Sequence, residues 1–307
     1  ELLNRGASVV AVVTHRDDPA ETTWFGSVAE LAAARRISCH TPADPNTPEF
    51  VEEIRRLRPD LILSFYYRRL LCSATLAIPR LGAINLHGSL LPKYRGRAPL
   101  NWVLIHGETI TGVTLHYMDA LADHGDIIVQ RSVPIEMEDT ALTLSGKLTA
   151  EARVLLAETY PLILAGRAPR IPQDHAAATT FGRRTPADGV IDWSRSAWEI
   201  YNLIRAVTRP FPGAFTFLRD RRVFLWRARP PRVRTIAAPP GTILGVGEGG
   251  VLEVETGDGL LEVIRIQPEG AVEMGGAEFL AAVEDSSPAA RARFGPPATA
   301  DHRTTDH

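Results

Sequence analysis

Asn85 and His87 stand two residues apart at the end of the apolar run Leu81-Gly82-Ala83-Ile84. On an extended strand, positions i and i+2 face the same way. A carboxamide and an imidazole would therefore project together from a strand end into a loop that Gly88 opens. The first can donate a hydrogen bond to developing negative charge, and the second can take or give a proton near neutral pH. A third group would complete the set. Asp123 lies 36 residues after His87 in Asp119-Ala120-Leu121-Ala122-Asp123-His124-Gly125, a loop by composition. An aspartate hydrogen-bonded to an imidazole fixes its tautomer and favours its protonated form. A turn residue ahead of Gly125 explains Asp123 equally well. Asp119, Asp126 and His124 compete for any acid or base role.

Such a set needs strands that end together, and the chain alternates strand and helix signals. Glu1-Leu2-Leu3-Asn4-Arg5-Gly6 reads as the last turn of a helix, followed by a valine-rich strand over 8–14. An α/β domain seldom opens halfway through a helix, so a first strand and most of a first helix are expected to be missing. Ser27-Val28-Ala29-Glu30 has capping-box form, and Pro48 after Thr47 marks a second helix start. Apolar strands follow at 61–65 and 81–86, a short helix at 98–106, strands at 111–118 and 126–133, and a long helix over 142–164. This order predicts a Rossmann-like, mainly parallel sheet with helices on both faces. Ligands bind beyond the carboxyl ends of the strands in such sheets, where Arg69 and Asn85 lie.

Beyond it, a Pro-, Arg- and Thr-rich stretch reads as a linker over 167–188, after a catalytic domain of 1–166. An amphipathic helix over 196–207 and five short strands between 214 and 266 predict a small OB-like β-barrel over 189–285. Residues 286–307, rich in Ala, Pro, Arg and Thr, read as a disordered tail.

The composition narrows the chemistry. A formal net charge of −2 over 307 residues gives no electrostatic case for nucleic acid. Cys39 and Cys72 are too few for a disulfide framework and lack metal-ligand spacing, so they read as buried free thiols of a cytoplasmic protein. There is no signal peptide, no lipidation motif and no apolar run of 18 residues, so no membrane insertion is expected. Gly245-Val246-Gly247-Glu248-Gly249-Gly250 lies between two short strands and reads as a hairpin turn, not a dinucleotide loop. With no P-loop, no Cys-x-x-Cys and no His-Glu-x-x-His, no metal is expected.

Asn85-Leu86-His87-Gly88-Ser89-Leu90-Leu91-Pro92, with the distal Asp123-His124-Gly125-Asp126, resembles the formyltransferases that use 10-formyltetrahydrofolate. The resemblance runs to about residue 285, and Pro210-Phe211-Pro212-Gly213-Ala214 is similar to the element that opens their C-terminal barrel. It implies Asn85 as oxyanion donor, His87 as the proton-transferring base and Asp123 as the group that holds His87 and raises its pKa. It implies folate contacts at Arg69, Leu70, Leu71, Ser89, Leu90, Leu91, Pro92 and Arg97, and at Asp119, Ala120, Leu121 and Ala122. Within the family, Ser64-Phe65-Tyr66-Tyr67-Arg68, Lys93-Tyr94-Arg95-Gly96-Arg97-Ala98-Pro99 and Gly182-Arg183-Arg184-Thr185-Pro186 are most similar to members acting on UDP-4-amino-4-deoxy-L-arabinose. Tyr94 and Arg97 stand where the members acting on methionyl-tRNA usually carry Trp and Ala. The resemblance thus implies a UDP-linked 4-amino sugar as partner, with Tyr94 and Arg97 at the substrate, in the aminoarabinose modification of lipid A that gives polymyxin resistance. The alternatives are methionyl-tRNA, another amino sugar, or a folate- or nucleotide-binding protein without catalysis.

Overall fold

Where a helix must return the chain to the same edge of a sheet, the strands on either side of it come out parallel. The computed structural model, which describes residues 1–17, 24–232, 237–284 and 292–296, follows this rule from its first elements. Strand β1 (Val12–Val13) leads through helix α1 (Val28–Ala34) to β2 (Cys39–His40), its parallel partner. Helix α2 (Pro48–Leu57) then leads to β3 (Ile62–Phe65), and α3 (Ser73–Leu76) carries the chain to β4 (Ala83–His87), again parallel. The caps read from the sequence are in place. Ser27 Oγ accepts from Glu30 N at 3.2 Å, and Thr47 caps α2 with Pro48 in its first turn.

After β5 (Arg95–Gly96) and α4 (Pro99–Ile105), the chain forms a long hairpin of β6 (Ile110–Tyr117) and β7 (Ile127–Pro134). β6 is antiparallel to β4, so the four-stranded sheet has the order β3-β4-β6-β7, with one parallel pair and two antiparallel pairs. Ile84, Val113 and Leu115 are 0% exposed. Helix α5 (Ala141–Leu164) has buried Leu144, Leu148 and Leu155 at helical spacing.

The chain divides into two compact units. The first comprises Glu1–Leu100, Thr109–Ile135 and Leu144–Arg183; the second comprises Asn101–Glu108, Glu136–Thr143 and the chain from Arg184 onward. Much of the expected linker is therefore built into the first unit. Its strand β8 (Thr180–Phe181) pairs in parallel with β5, and Gln173 is only 6% exposed. Proline and arginine content signals poor regular structure, but it does not register isolated buried hydrogen bonds.

In the second unit, helix α6 (Ala197–Val207) carries the Ser196–Glu199 capping box and accompanies an antiparallel sheet. Its strands are β9 (Ala214–Leu218), β10 (Arg221–Ala228), β11 (Ile243–Val246), β12 (Leu252–Glu255) and β13 (Leu260–Pro268), with α7 (Gly276–Glu284) and β14 (Phe294–Gly295) following. Gly247 N donates to Val251 O at 2.9 Å, so the glycine run is the hairpin turn expected between β11 and β12. The sheet order is β11-β12-β13-β10-β9-β14. Ile243 N donates to Ala292 O at 3.0 Å and Phe294 N to Gly241 O at 2.8 Å, which joins the last strand to the first and closes the barrel. Residues 292–296 were expected in a disordered tail. Phe294, 1% exposed and stacked on Trp193, anchors them; one aromatic in a Pro- and Ala-rich stretch carries no periodic signal. The other tail residues lie outside those described. Cys39 and Cys72 are free thiols, half-buried and not in the core. Among the described residues, no helix is long and apolar enough to cross a membrane.

Candidate active site

β4 ends at the carboxyl edge it shares with β3, and its last residues set the site. The register places Asn85 opposite His116 and His87 opposite Thr114 on β6. The loop between β6 and β7 carries Asp123 back to the same point. That loop is closed by the bond from Tyr117 N to Asp126 O at 2.9 Å. It also requires glycine at position 125, where a Cβ would sit 2.1 Å from Tyr117 O.

Three side chains converge there with a fourth that was not anticipated. Asn85 Nδ2 lies 3.3 Å from Asp123 Oδ1 and 3.1 Å from His116 Nε2. His116 Nδ1 donates to the Tyr117 carbonyl at 2.9 Å, and its Nε2 lies 3.4 Å from Asp123 Oδ1. His87 Nε2 donates to Tyr94 O at 2.7 Å. The basic nitrogen of the neutral His87 ring is therefore Nδ1, 3.5 Å from Asp123 Oδ1. Gly96 N donates to the other carboxylate oxygen of Asp123 at 2.8 Å.

The electrostatics follow from burial. Desolvation pushes the His87 pKa below the ordinary imidazole value of 6.5, against the opposing pull of Asp123 and the Tyr94 carbonyl. Asp123 does act in the raising direction, as the resemblance implied, but burial wins and the ring is neutral at neutral pH. Burial works to raise the Asp123 carboxyl. The facing His116 imidazole, the charge of His87 and the Gly96 N–H together outweigh it and hold the carboxyl below its usual range. The result is a neutral base beside a fixed carboxylate.

The competing groups are engaged elsewhere. Asp119 Oδ2 holds His124 Nδ1 at 2.6 Å, and Asp126 lies 3.8 Å from Arg170. Of the remaining expected residues, Leu70, Ala120, Leu121 and Ala122 are exposed. The Leu70 backbone is steadied by Asn46, whose Nδ2 donates to its carbonyl at 2.9 Å. Arg97 is exposed and donates to Arg68 O at 3.0 Å.

Several expected contacts lie inward instead. Ser89 is 0% exposed and its hydroxyl donates to Lys93 O at 2.7 Å. Leu91, 3% exposed, precedes a cis proline and is bound through its backbone to Thr114 and Gln130. Leu90 packs against Gly112 of β6. Tyr94 is 8% exposed, its ring stacked on Phe181 at 5.1 Å, and it serves His87 through its carbonyl. The sequence reading treated this loop as lining, because it could not separate a residue that faces a cleft from one that shapes it.

His116 and Gln173 were overlooked. His116 is a lone imidazole within the apolar strand Val113-Thr114-Leu115-His116-Tyr117, 1% exposed; pairing that strand with β4 would have found it. No local signal marked Gln173. Among the described residues, no cluster of His, Cys, Asp or Glu could hold a metal ion.

Residues 2–159 match the family model described as formyl transferase, and residues 183–284 match that of its C-terminal domain. HypX from Aquifex aeolicus, solved with tetrahydrofolic acid, aligns with a TM-score of 0.60 at 18% identity, over 89% of this chain and 47% of that one. An N-formyltransferase from Helicobacter canadensis, in complex with folinic acid and dTDP-3-aminofucose, gives 0.65 at 19% identity, over 89% and 93%. A sugar N-formyltransferase from a Shewanella species gives 0.56 at 21% identity, over 67% and 82%. The chain spans about half the length of the HypX chains it matches. At these identities the structural likeness carries the fold, and the sequence match carries the family. The two matched segments follow one another through both compact units, and this chain belongs to the formyl transferase family.

Proposed function

We propose that the protein transfers the formyl group of 10-formyltetrahydrofolate to the amino group of a nucleotide-linked sugar. The observation that carries this reading is the Asn85–His87–Asp123 cluster around the buried, neutral His87. Formyl transfer needs an amine to attack the formyl carbon, a donor for the oxyanion, and a base for the proton that leaves nitrogen. His87 Nδ1 takes that proton, and the resulting imidazolium is stabilised by Asp123. Asp123 Oδ1 is shared between Asn85 Nδ2 and His87 Nδ1. Asn85 Nδ2, held between Asp123 and His116, presents its amide N–H to the oxyanion. Collapse of the tetrahedral intermediate breaks the bond from carbon to the folate nitrogen, and His87 returns a proton to that nitrogen. The reaction then closes with the formamide product and tetrahydrofolate.

The folate donor is received by Arg69, Leu70 and Leu71 and by the exposed residues 119–122, with the leucines covering the flat pterin. Arg97 supplies a cation for an anionic group of donor or acceptor. The folate and the dTDP-sugar in the solved relatives support this pairing of ligands. For the acceptor we propose UDP-4-amino-4-deoxy-L-arabinose, on the sequence Lys93-Tyr94-Arg95-Gly96-Arg97. With it we propose a role in the aminoarabinose modification of lipid A, in the cytoplasm.

Incubation with 10-formyltetrahydrofolate and, separately, the UDP-4-amino sugar, a dTDP-3-amino sugar and methionyl-tRNA tests both levels. Product from the UDP-4-amino sugar supports the full reading. Product from the dTDP sugar alone keeps the reaction and moves the acceptor. Turnover of methionyl-tRNA with no formylated sugar would overturn the proposal.

A further inference from the structure

Gln173 lies 50 residues beyond Asp123 in the chain, in a stretch whose composition reads as linker, yet it is 6% exposed and uses its whole hydrogen-bonding capacity. Its Nε2 donates to the carbonyls of Asp123 and Gly125 at 2.9 and 2.7 Å. Its Oε1 accepts from Arg95 Nε at 3.2 Å and Arg95 Nη2 at 2.6 Å. A carboxamide has two N–H donors and two lone pairs on oxygen, and here all four are used.

Each end of this carboxamide holds a segment on which the cluster depends. On one side is the backbone of Asp123, kept at a φ of +52°, a conformation rare for residues other than glycine. On the other is Arg95, 7% exposed, whose guanidinium is held by Gln173 and by His175 Nδ1 at 2.9 Å. The residues flanking Arg95 both touch the cluster through their backbones: Tyr94 O accepts from His87 Nε2, and Gly96 N–H donates to Asp123. Two segments distant from each other in the chain are thereby fixed to one side chain.

We infer that Gln173 is a positioning residue for the His87–Asp123 pair. It sets the orientation of the carboxylate relative to the imidazole and touches neither substrate. A pair held 3.5 Å apart by backbone contacts on both sides is sensitive to the loss of a single bridge. Small misplacements of reacting groups cost up to roughly a hundredfold in rate. The inference rests on the formyl-transfer reading for its kinetic consequence, but not for its geometric one.

Two substitutions separate the contacts. Gln173→Glu keeps the length and the bond to Arg95 but sets an oxygen against the two carbonyls. Gln173→Met keeps the length and removes every polar contact. Both are expected to lower kcat by roughly ten- to a hundredfold while the KM for each substrate stays within about twofold. In the folded protein, the imidazole ¹⁵N resonances of His87, identified by their absence in His87→Ala, are expected to shift in both variants at fixed pH. Unchanged kcat with unmoved His87 resonances overturns the inference, and so does a lower unfolding temperature as the only effect. If one variant fails to fold, the other is decisive. If the wild-type protein formylates no amine, the proposed function falls, and the His87 resonances alone decide the role of Gln173.

Discussion

The inner cluster and its rim are built in opposite ways. In the cluster, the side chains hold one another through short polar contacts. His87 and His116 have side chains 7% and 2% exposed, and the Asp123 carboxylate takes bonds from Asn85 and Gly96. On the rim, Leu70 and Leu121 are each 60% exposed and Arg97 donates to the Arg68 carbonyl. Groups that must meet a transition state gain from being fixed in advance, because nothing has to reorganise at the moment of reaction. Groups that close over a flat ligand gain from lying open until it arrives. The division predicts that cluster changes act on kcat and rim changes on KM.

The strongest way to break that comparison is Asn85→Ala. Loss of an oxyanion donor is expected to lower kcat by about 10²- to 10³-fold, with little change in KM, in steady-state assays of formylated product. A large rise in KM with kcat preserved would place Asn85 among the binding groups.

Next comes the effect of pH. Because the folded pKa of His87 lies below 6.5, the acid limb of kcat/KM should lie below 6.5, falling about tenfold per pH unit once the ring protonates. Stability follows the same sign. Folding favours the neutral ring, so the contribution of His87 is complete above 6.5 and is lost as pH falls through the depressed folded value. A pH–rate profile with its acid limb above 6.5 would contradict the burial that sets this order.

Gly96→Ala tests the frame directly. The residue has a φ of +91°, and an added Cβ would lie 2.4 Å from Phe181 O, which is backbone and cannot swing aside. A loss on the order of 1–3 kcal/mol is expected in chemical denaturation, with a fall in kcat as the N–H to Asp123 moves.

The smallest changes belong to the rim. Leu70→Ala and Leu121→Ala should raise the KM for the folate donor by roughly tenfold at most and leave stability within about 0.5 kcal/mol. Equal effects on kcat in cluster and rim would dissolve the distinction altogether.

What could be read from the chain differs between the same two regions. Asn85 and His87 were legible because strand periodicity is local, and two residues of spacing place two side chains on one face. The alternation of strands and helices, the glycine hairpin and the C-terminal barrel were legible for the same reason. Ser89, Leu91 and Tyr94 were assigned to the cleft, and their burial was not legible, since a loop sequence does not say which way its side chains turn.

The amino-acid sequence alone determined the candidate groups: a carboxamide and an imidazole on a strand end, with an aspartate at a glycine-closed loop. Tertiary structure alone decided how they are set. It chose Asp123 over Asp119 and Asp126 by giving those two other partners, put His116 opposite Asn85 through strand register, and brought Gln173 across 50 residues to hold Asp123. It also decided the charge of His87, because desolvation depends on how completely the folded chain surrounds the ring. Spacing along a strand is a property of the backbone and can be counted. Burial and pairing depend on the whole surface of contact, and they exist only once the chain has folded.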